Sequence, residues 1–149
     1  MCQLLWLFSE IVEKAFLLNN SRPWSFSYLW PFINDSMDLC FLSLSSGSSG
    51  NSYYLGSPTR GILIDAGISA TSVRRHLKSF GIEIEAVAGI LVTHNHSDHI
   101  RGLEILTKRY CLPAFTSEGV RRSILGPGKK ISAAAIREIP LRSRFIIAG

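Results

Sequence analysis

Leu91-Val92-Thr93-His94-Asn95-His96-Ser97-Asp98-His99-Ile100 is the stretch that decides how this chain is read. Three of the chain's four histidines fall within six residues of it, with an aspartate among them, in the pattern His-x-His-x-Asp-His. The apolar run Ala88 to Thr93 leads into the pattern and reads as a buried strand. His94 and His96 stand two apart where the chain leaves that strand, so in extended backbone both side chains point to one side. A turn into a helix then brings Asp98 and His99 round within one turn. Imidazole nitrogen with carboxylate oxygen is a donor set for zinc, and also for manganese or iron. As plain loop residues, three histidines this close would repel one another when protonated and would lack partners when buried. His94, His96, Asp98 and His99 are therefore the expected metal ligands. Four donors on one loop serve one ion closely, or two ions with help from elsewhere.

Working outward, strands and helices alternate, which predicts an α/β domain. Asp38 to Ser43 and Asn51 to Leu55 read as strands, joined by a Ser/Gly loop and followed by a turn at Ser57 to Arg60. Gly61 to Asp65 is a short apolar strand ending at an acid. Asp65 either hydrogen-bonds to the metal loop or caps the next helix. That helix is predicted over Ser69 to Phe80, capped by Ser69 or Thr71, with Val73, Leu77 and Phe80 on one face and Gly81 to stop it. His76, among Arg74, Arg75 and Lys78, reads as a surface residue. One helix is predicted over Asp98 to Tyr110, a strand over Pro113 to Thr116 and a helix over Glu118 to Leu125. Late strands follow at Ile136 to Ile139 and Phe145 to Ala148. Cys40 and Cys111 read as buried small residues. The Ser46 to Asn51 loop can present amides and hydroxyls to a phosphate, or be a flexible turn. Arg121, Arg122, Lys129 and Lys130 flank Gly126-Pro127-Gly128, placed either to touch a nucleic-acid backbone or to form a solvated surface.

The composition sets the frame. The chain has 149 residues, 46% of them hydrophobic and 18% charged, with three cysteines and a net charge of +5. That suits one domain with a core, and excludes a disordered polymer and a disulfide scaffold. No long uncharged apolar run occurs, so no transmembrane segment is expected, and a reducing cytoplasm is the default. Residues 1–36 differ from the rest: they hold all three tryptophans and more acidic than basic residues. The basic excess therefore lies wholly in 37–149, as an anionic partner would require. Within 1–36, Leu4, Phe8, Ile11, Ala15 and Leu18 have helical spacing and precede an aromatic, proline-interrupted segment. Met1 to Leu7 lacks Lys and Arg, which argues against a signal peptide. The expected division is an N-terminal extension, 1–36, with Met37 as an alternative start, and a catalytic-fold domain, 37–149.

His94-Asn95-His96-Ser97-Asp98-His99 resembles the signature of the metallo-β-lactamase-fold hydrolases, and Ile62-Leu63-Ile64-Asp65-Ala66-Gly67 is similar to a second element of that family. The Ser45 to Tyr54 and Lys108 to Pro113 segments resemble the YycJ/WalJ-like branch of bacterial cytosolic metal-dependent hydrolases. The resemblance covers about residues 38–149. It implies an αββα sandwich and two divalent ions, zinc first, with His94 and His96 on one ion and Asp98 and His99 on the other. It implies phosphodiester or nucleic-acid-type substrates, with Asp98 orienting the attacking hydroxide and Asp65, Ser46 and Asn51 in support. The family also uses two later histidines and a later aspartate, and none follows His99 here. The expectation is thus the first half of a hydrolase, with an inert, weakly metal-binding fragment as the alternative.

Overall fold

The computed structural model describes residues 39–126 and 130–140. The expected helix and aromatic segment of 1–36, the strand at 145–148 and Lys129 lie outside them.

The chain begins with an antiparallel hairpin, β1 (Cys40–Ser45) and β2 (Ser52–Gly56), and turns again into β3 (Gly61–Ile64). It then crosses over through helix α1 (Ala70–Ser79) to β4 (Val87–Leu91), which lies parallel to β3. Two short helices, α2 (Ser97–Ile100) and α3 (Leu103–Arg109), lead to β5 (Ala114–Thr116). Helix α4 (Glu118–Ile124) leads to β6 (Ile136–Glu138). Among the described residues, the six strands form one sheet in the order β1-β2-β3-β4-β5-β6. This is the predicted mixed α/β architecture.

One row of the sheet shows why these residues form it. Leu42, Tyr54, Leu63, Ile90, Ala114 and Ile136 are successive cross-strand partners, and all are buried. Each strand thus places one apolar residue in a continuous ridge under the helices, where burying a large side chain is worth about 1.5–3 kcal/mol. Val73 and Leu77 of α1 and Leu103 and Leu106 of α3 belong to the same core.

Helix α1 starts where Ser69 Oγ accepts the Ser72 amide and stops at Gly81, in the left-handed region at φ 74°. The Gly81 and Ile82 amides there bond back to Lys78 and Leu77, a closure that favours glycine. Among the described residues, no helix is long and apolar enough to cross a membrane.

Several expectations change. The helix predicted over Asp98 to Tyr110 is two, broken at Arg101-Gly102. The Gly102 amide donates to Ala66 O, and a Cβ on Gly102 would lie 2.3 Å from Ile68 O. The helix gives way so that the turn after β3 can press against it. The first strand is shifted two residues onward, to Cys40–Ser45, because Cys40, Leu42 and Leu44 are its buried set while Leu39 is exposed. Cys111 is exposed, not buried, and has positive φ at the end of the α3 turn. His76 is half-buried: its Nδ1 lies 2.7 Å from Leu44 O and ties α1 to β1.

Candidate metal centre

The parallel register pairs Ile64 with Leu91, so the residues following β3 and β4 leave the sheet at the same edge. Asp65 follows β3 directly; Thr93 and His94 follow β4. Asp65 is 2% exposed and has φ 60°, a left-handed conformation that Asp tolerates better than most residues. Its Oδ1 accepts the Thr93 amide at 2.8 Å. Its Oδ2 accepts the Thr93 hydroxyl at 2.7 Å and lies 2.7 Å from His99 Nδ1. The two alternatives left open for Asp65 are thus resolved: it binds the histidine loop, and Ser69 caps α1.

These contacts fix the histidine tautomers. A carboxylate only accepts, so His99 Nδ1 carries a proton and gives it to Asp65. The Thr93 hydroxyl likewise gives its proton to Asp65. It must then accept from His94 Nδ1, 2.9 Å away. In their neutral form both rings are therefore held with Nδ1 protonated and the lone pair on Nε2. The His94 and His99 ring centres are 3.7 Å apart, and His96 stands edge-on to His94 at 4.8 Å. Asp98 Oδ2 lies 3.5 Å from His99 Nε2.

Ring nitrogens of His94 and His99 and an Asp65 oxygen lie within 4.8 Å of one another. Both Asp65 oxygens are already engaged, so Asp98 is the carboxylate better placed to face an ion. Two neutral imidazoles presenting lone pairs beside a carboxylate fit a borderline divalent ion.

Burial, followed by the neighbouring His99, holds the His94 pKa below the ordinary histidine value, with His96 adding to this and Asp65 and Asp98 opposing it. The sign follows from linkage. Between the lowered folded value and the ordinary one, the unfolded chain binds more protons, so stability falls as pH drops through that window. Urea midpoints measured from about pH 7 to about pH 5.5 should fall more in the native chain than in His94→Asn. Equal falls would contradict the lowered value.

Of the supporting residues, Asn51 is brought to the cluster. Its Nδ2 is 3.1 Å from His99 Nε2 and 3.3 Å from Asp98 Oδ2, and its amide donates to Asp98 O. Ser46 is exposed, and its hydroxyl accepts from Tyr53 OH. Arg122 pairs with Glu118, and Arg121 donates to Ile136 O, so both are engaged at α4 and β6. Sequence reading missed Thr93, whose only signal was a hydroxyl next to His94 at a strand end. It also missed Arg101, whose Nη1 donates to Ser49 O across the Ser/Gly loop.

The model of the metallo-beta-lactamase superfamily matches residues 46–146, the region that contains every one of these residues. This chain belongs to the metallo-beta-lactamase superfamily. It is 45% identical over 82 residues to exodeoxyribonuclease YycJ of Bacillus anthracis, covering 55% of this chain and 31% of that protein. It is 40% identical over 75 residues to exodeoxyribonuclease WalJ of Streptococcus pneumoniae serotype 2, covering 50% of this chain and 28% of that protein. The chain thus spans less than a third of the length of these curated relatives. Among solved structures, it resembles the chemotaxis sensor ODP with a TM-score of 0.56 at 19% identity, covering 73% of this chain and 44% of that one. It resembles metallo-beta-lactamase SMB-1 with a TM-score of 0.54 at 19% identity, covering 68% and 44%. At that identity the likeness is one of fold. Membership in the metallo-beta-lactamase superfamily implies binding of divalent metal, and a cluster of Asp65, His94 and His99 is present.

Proposed function

We propose that this chain carries the metal-binding part of a hydrolase that cleaves phosphodiester bonds in nucleic acid, and that it works in the cytoplasm. The observation that carries the reading is the pair of Nε2 lone pairs, on His94 and His99, set side by side by Asp65 and Thr93. The 40–45% identity to proteins named exodeoxyribonucleases supports the substrate class. In this reading His94 and His96 hold one ion and Asp98 and His99 a second, zinc first, with manganese or iron as alternatives. Bound there, a divalent ion supplies Lewis-acid chemistry, polarising a phosphoryl oxygen and acidifying water.

The protein's own contribution is positional. Asp65 keeps His99 in one tautomer and one orientation. Thr93 does the same for His94. Asp98, the proposed catalytic carboxylate, is partly open to solvent and can accept a proton from attacking water. The Ser46 to Asn51 loop beside it offers hydroxyls and amides to a phosphate. The division into an extension, 1–36, and a catalytic-fold domain from 37 onward belongs to the same proposal.

A second reading keeps the metal and drops the turnover. It is favoured by the donors the described residues bring together, a single cluster of Asp65, His94 and His99. One experiment separates the two. The purified chain is incubated with Zn2+ or Mn2+ and linear DNA, while metal uptake and nucleotide release are both measured. Uptake that falls about 10-fold or more in His96→Ala supports the metal reading. Nucleotide release lost in the same variant supports the hydrolase; uptake without release supports the second reading. Release that persists in His96→Ala and in EDTA sinks both.

A further inference from the structure

Asn51 stands between the Ser/Gly loop and the histidines, and its side chain is engaged on both sides. Toward the loop, its Oδ1 accepts the Gly47 amide at 3.1 Å and its Nδ2 reaches Gly47 O at 3.2 Å. Toward the histidines, Nδ2 faces Asp98 Oδ2 and His99 Nε2. Both of these groups are acceptors. Asp98 is a carboxylate, and the neutral His99 ring, whose Nδ1–H donates to Asp65, carries its lone pair on Nε2. The NH2 end of Asn51 must therefore point at His99 and Asp98, since the reverse orientation would set oxygen against two acceptors.

The Nε2 nitrogen has a single lone pair. It can accept from Asn51 or bind an ion, but not both. The His99 ring cannot turn to offer its other nitrogen without breaking the 2.7 Å bond to Asp65. The backbone of Asn51 is fixed as well, its amide bonded to Asp98 O and its carbonyl to the Gly67 amide. Only the Asn51 side chain is left to yield.

We propose that Asn51 competes with metal for His99 Nε2, and that displacement of its amide transmits metal loading to the Ser/Gly loop through Gly47. This rests on the reading of Asp98 and His99 as metal ligands. An ion that takes Nε2 swings the Asn51 amide away and loosens its two contacts with Gly47. The far side of the loop stays held by Arg101, which donates to Ser49 O. The response is thus confined to the Gly47 side, where a phosphate would meet the loop. Asn51 is a positioning residue in this scheme: it weakens ion binding at one position and reports occupancy to the substrate side.

The test is a Zn2+ titration of the full chain, followed by NMR at the His99 ring nitrogen and the Gly47 amide. Asn51→Ala should bind Zn2+ at His99 about tenfold tighter than the native chain, because the hydrogen bond that competes for Nε2 is gone. Asn51→Asp keeps an acceptor for Gly47, removes the donor and adds a charge, so it should bind at least as tightly as Asn51→Ala. In the native chain the Gly47 amide resonance should shift as Zn2+ is added; in Asn51→Ala it should stay put. Should Asn51→Ala fail to fold, Asn51→Asp decides. Zn2+ uptake with unchanged or weaker affinity in the variants, or a native Gly47 signal that does not move, overturns the inference alone. A native chain that takes up no Zn2+ overturns the metal reading and this inference with it.

Discussion

Gly67→Ala should dismantle the metal centre rather than tune it. A Cβ at Gly67 would lie 1.7 Å from Asp98 O and 2.4 Å from the Asn51 amide nitrogen. Both are backbone atoms, and no side-chain rotation can make room. The start of α2 would have to retreat, breaking the 2.7 Å bond from the Asn51 amide to Asp98 O and pulling Asp98 away from His99. The expected loss is about 4 kcal/mol or more, among the largest for a single substitution. Urea unfolding followed by circular dichroism would read it, and Zn2+ uptake should disappear together with the stability. Gly119→Ala is the natural control. Its Cβ would meet nothing within 4 Å, and it lies in helix α4, so it should be neutral or stabilising by about 0.5–1 kcal/mol. A Gly67→Ala chain that melts like the native one would mean that this close approach is wrong.

Substitution of Asp65 should separate stability from metal binding. Asp65→Ala leaves the Thr93 amide, the Thr93 hydroxyl and His99 Nδ1 without their acceptor in a buried place, and puts alanine in the left-handed region. About 3 kcal/mol of lost stability is expected. Asp65→Asn keeps the shape and tolerates the backbone. Its amide can still accept the Thr93 N–H, but its NH2 then faces His99 Nδ1. His99 must shift its proton to Nε2 to match, which closes the lone pair an ion would use. Asp65→Asn should therefore stay folded and lose about 10–100-fold in Zn2+ affinity. Native affinity in Asp65→Asn would show that the tautomer is not set from Asp65.

The clustering of the histidine stretch was legible because its chemistry is written in neighbouring residues. Periodicity has little to do with it: three imidazoles and a carboxylate this close have few uses other than metal. Asp65 was half legible, since an acid at the end of an apolar strand announces itself without saying where it bonds. What could not be read were contacts between distant parts of the chain. The helix break at Gly102 is imposed by Ala66 and Ile68, more than thirty residues earlier, and the local sequence there has good helical spacing. The strand shift to Cys40–Ser45 has a similar cause. Residues 39 to 44 alternate between two sets that are both largely apolar, so only the helices packed on one face decide which set is buried. His76 belongs with these cases, because its partner, Leu44 O, lies on β1, far back in the chain.

The strand order has a consequence for how the protein is made. Every strand of the described sheet after β1 pairs with the strand that precedes it in the chain, so none has to be threaded between two others later. Asp65, Thr93, the three clustered histidines and Gly102, which seats the turn below them, all precede β5. A chain emerging from the ribosome, folding from its N-terminal side as it is synthesised, can therefore lay down the histidine pocket on β1 to β4 before β5 and β6 have been translated. On the proposed reading, metal can then meet its first donors during synthesis, and the remaining strands are added at a sheet edge that is already formed.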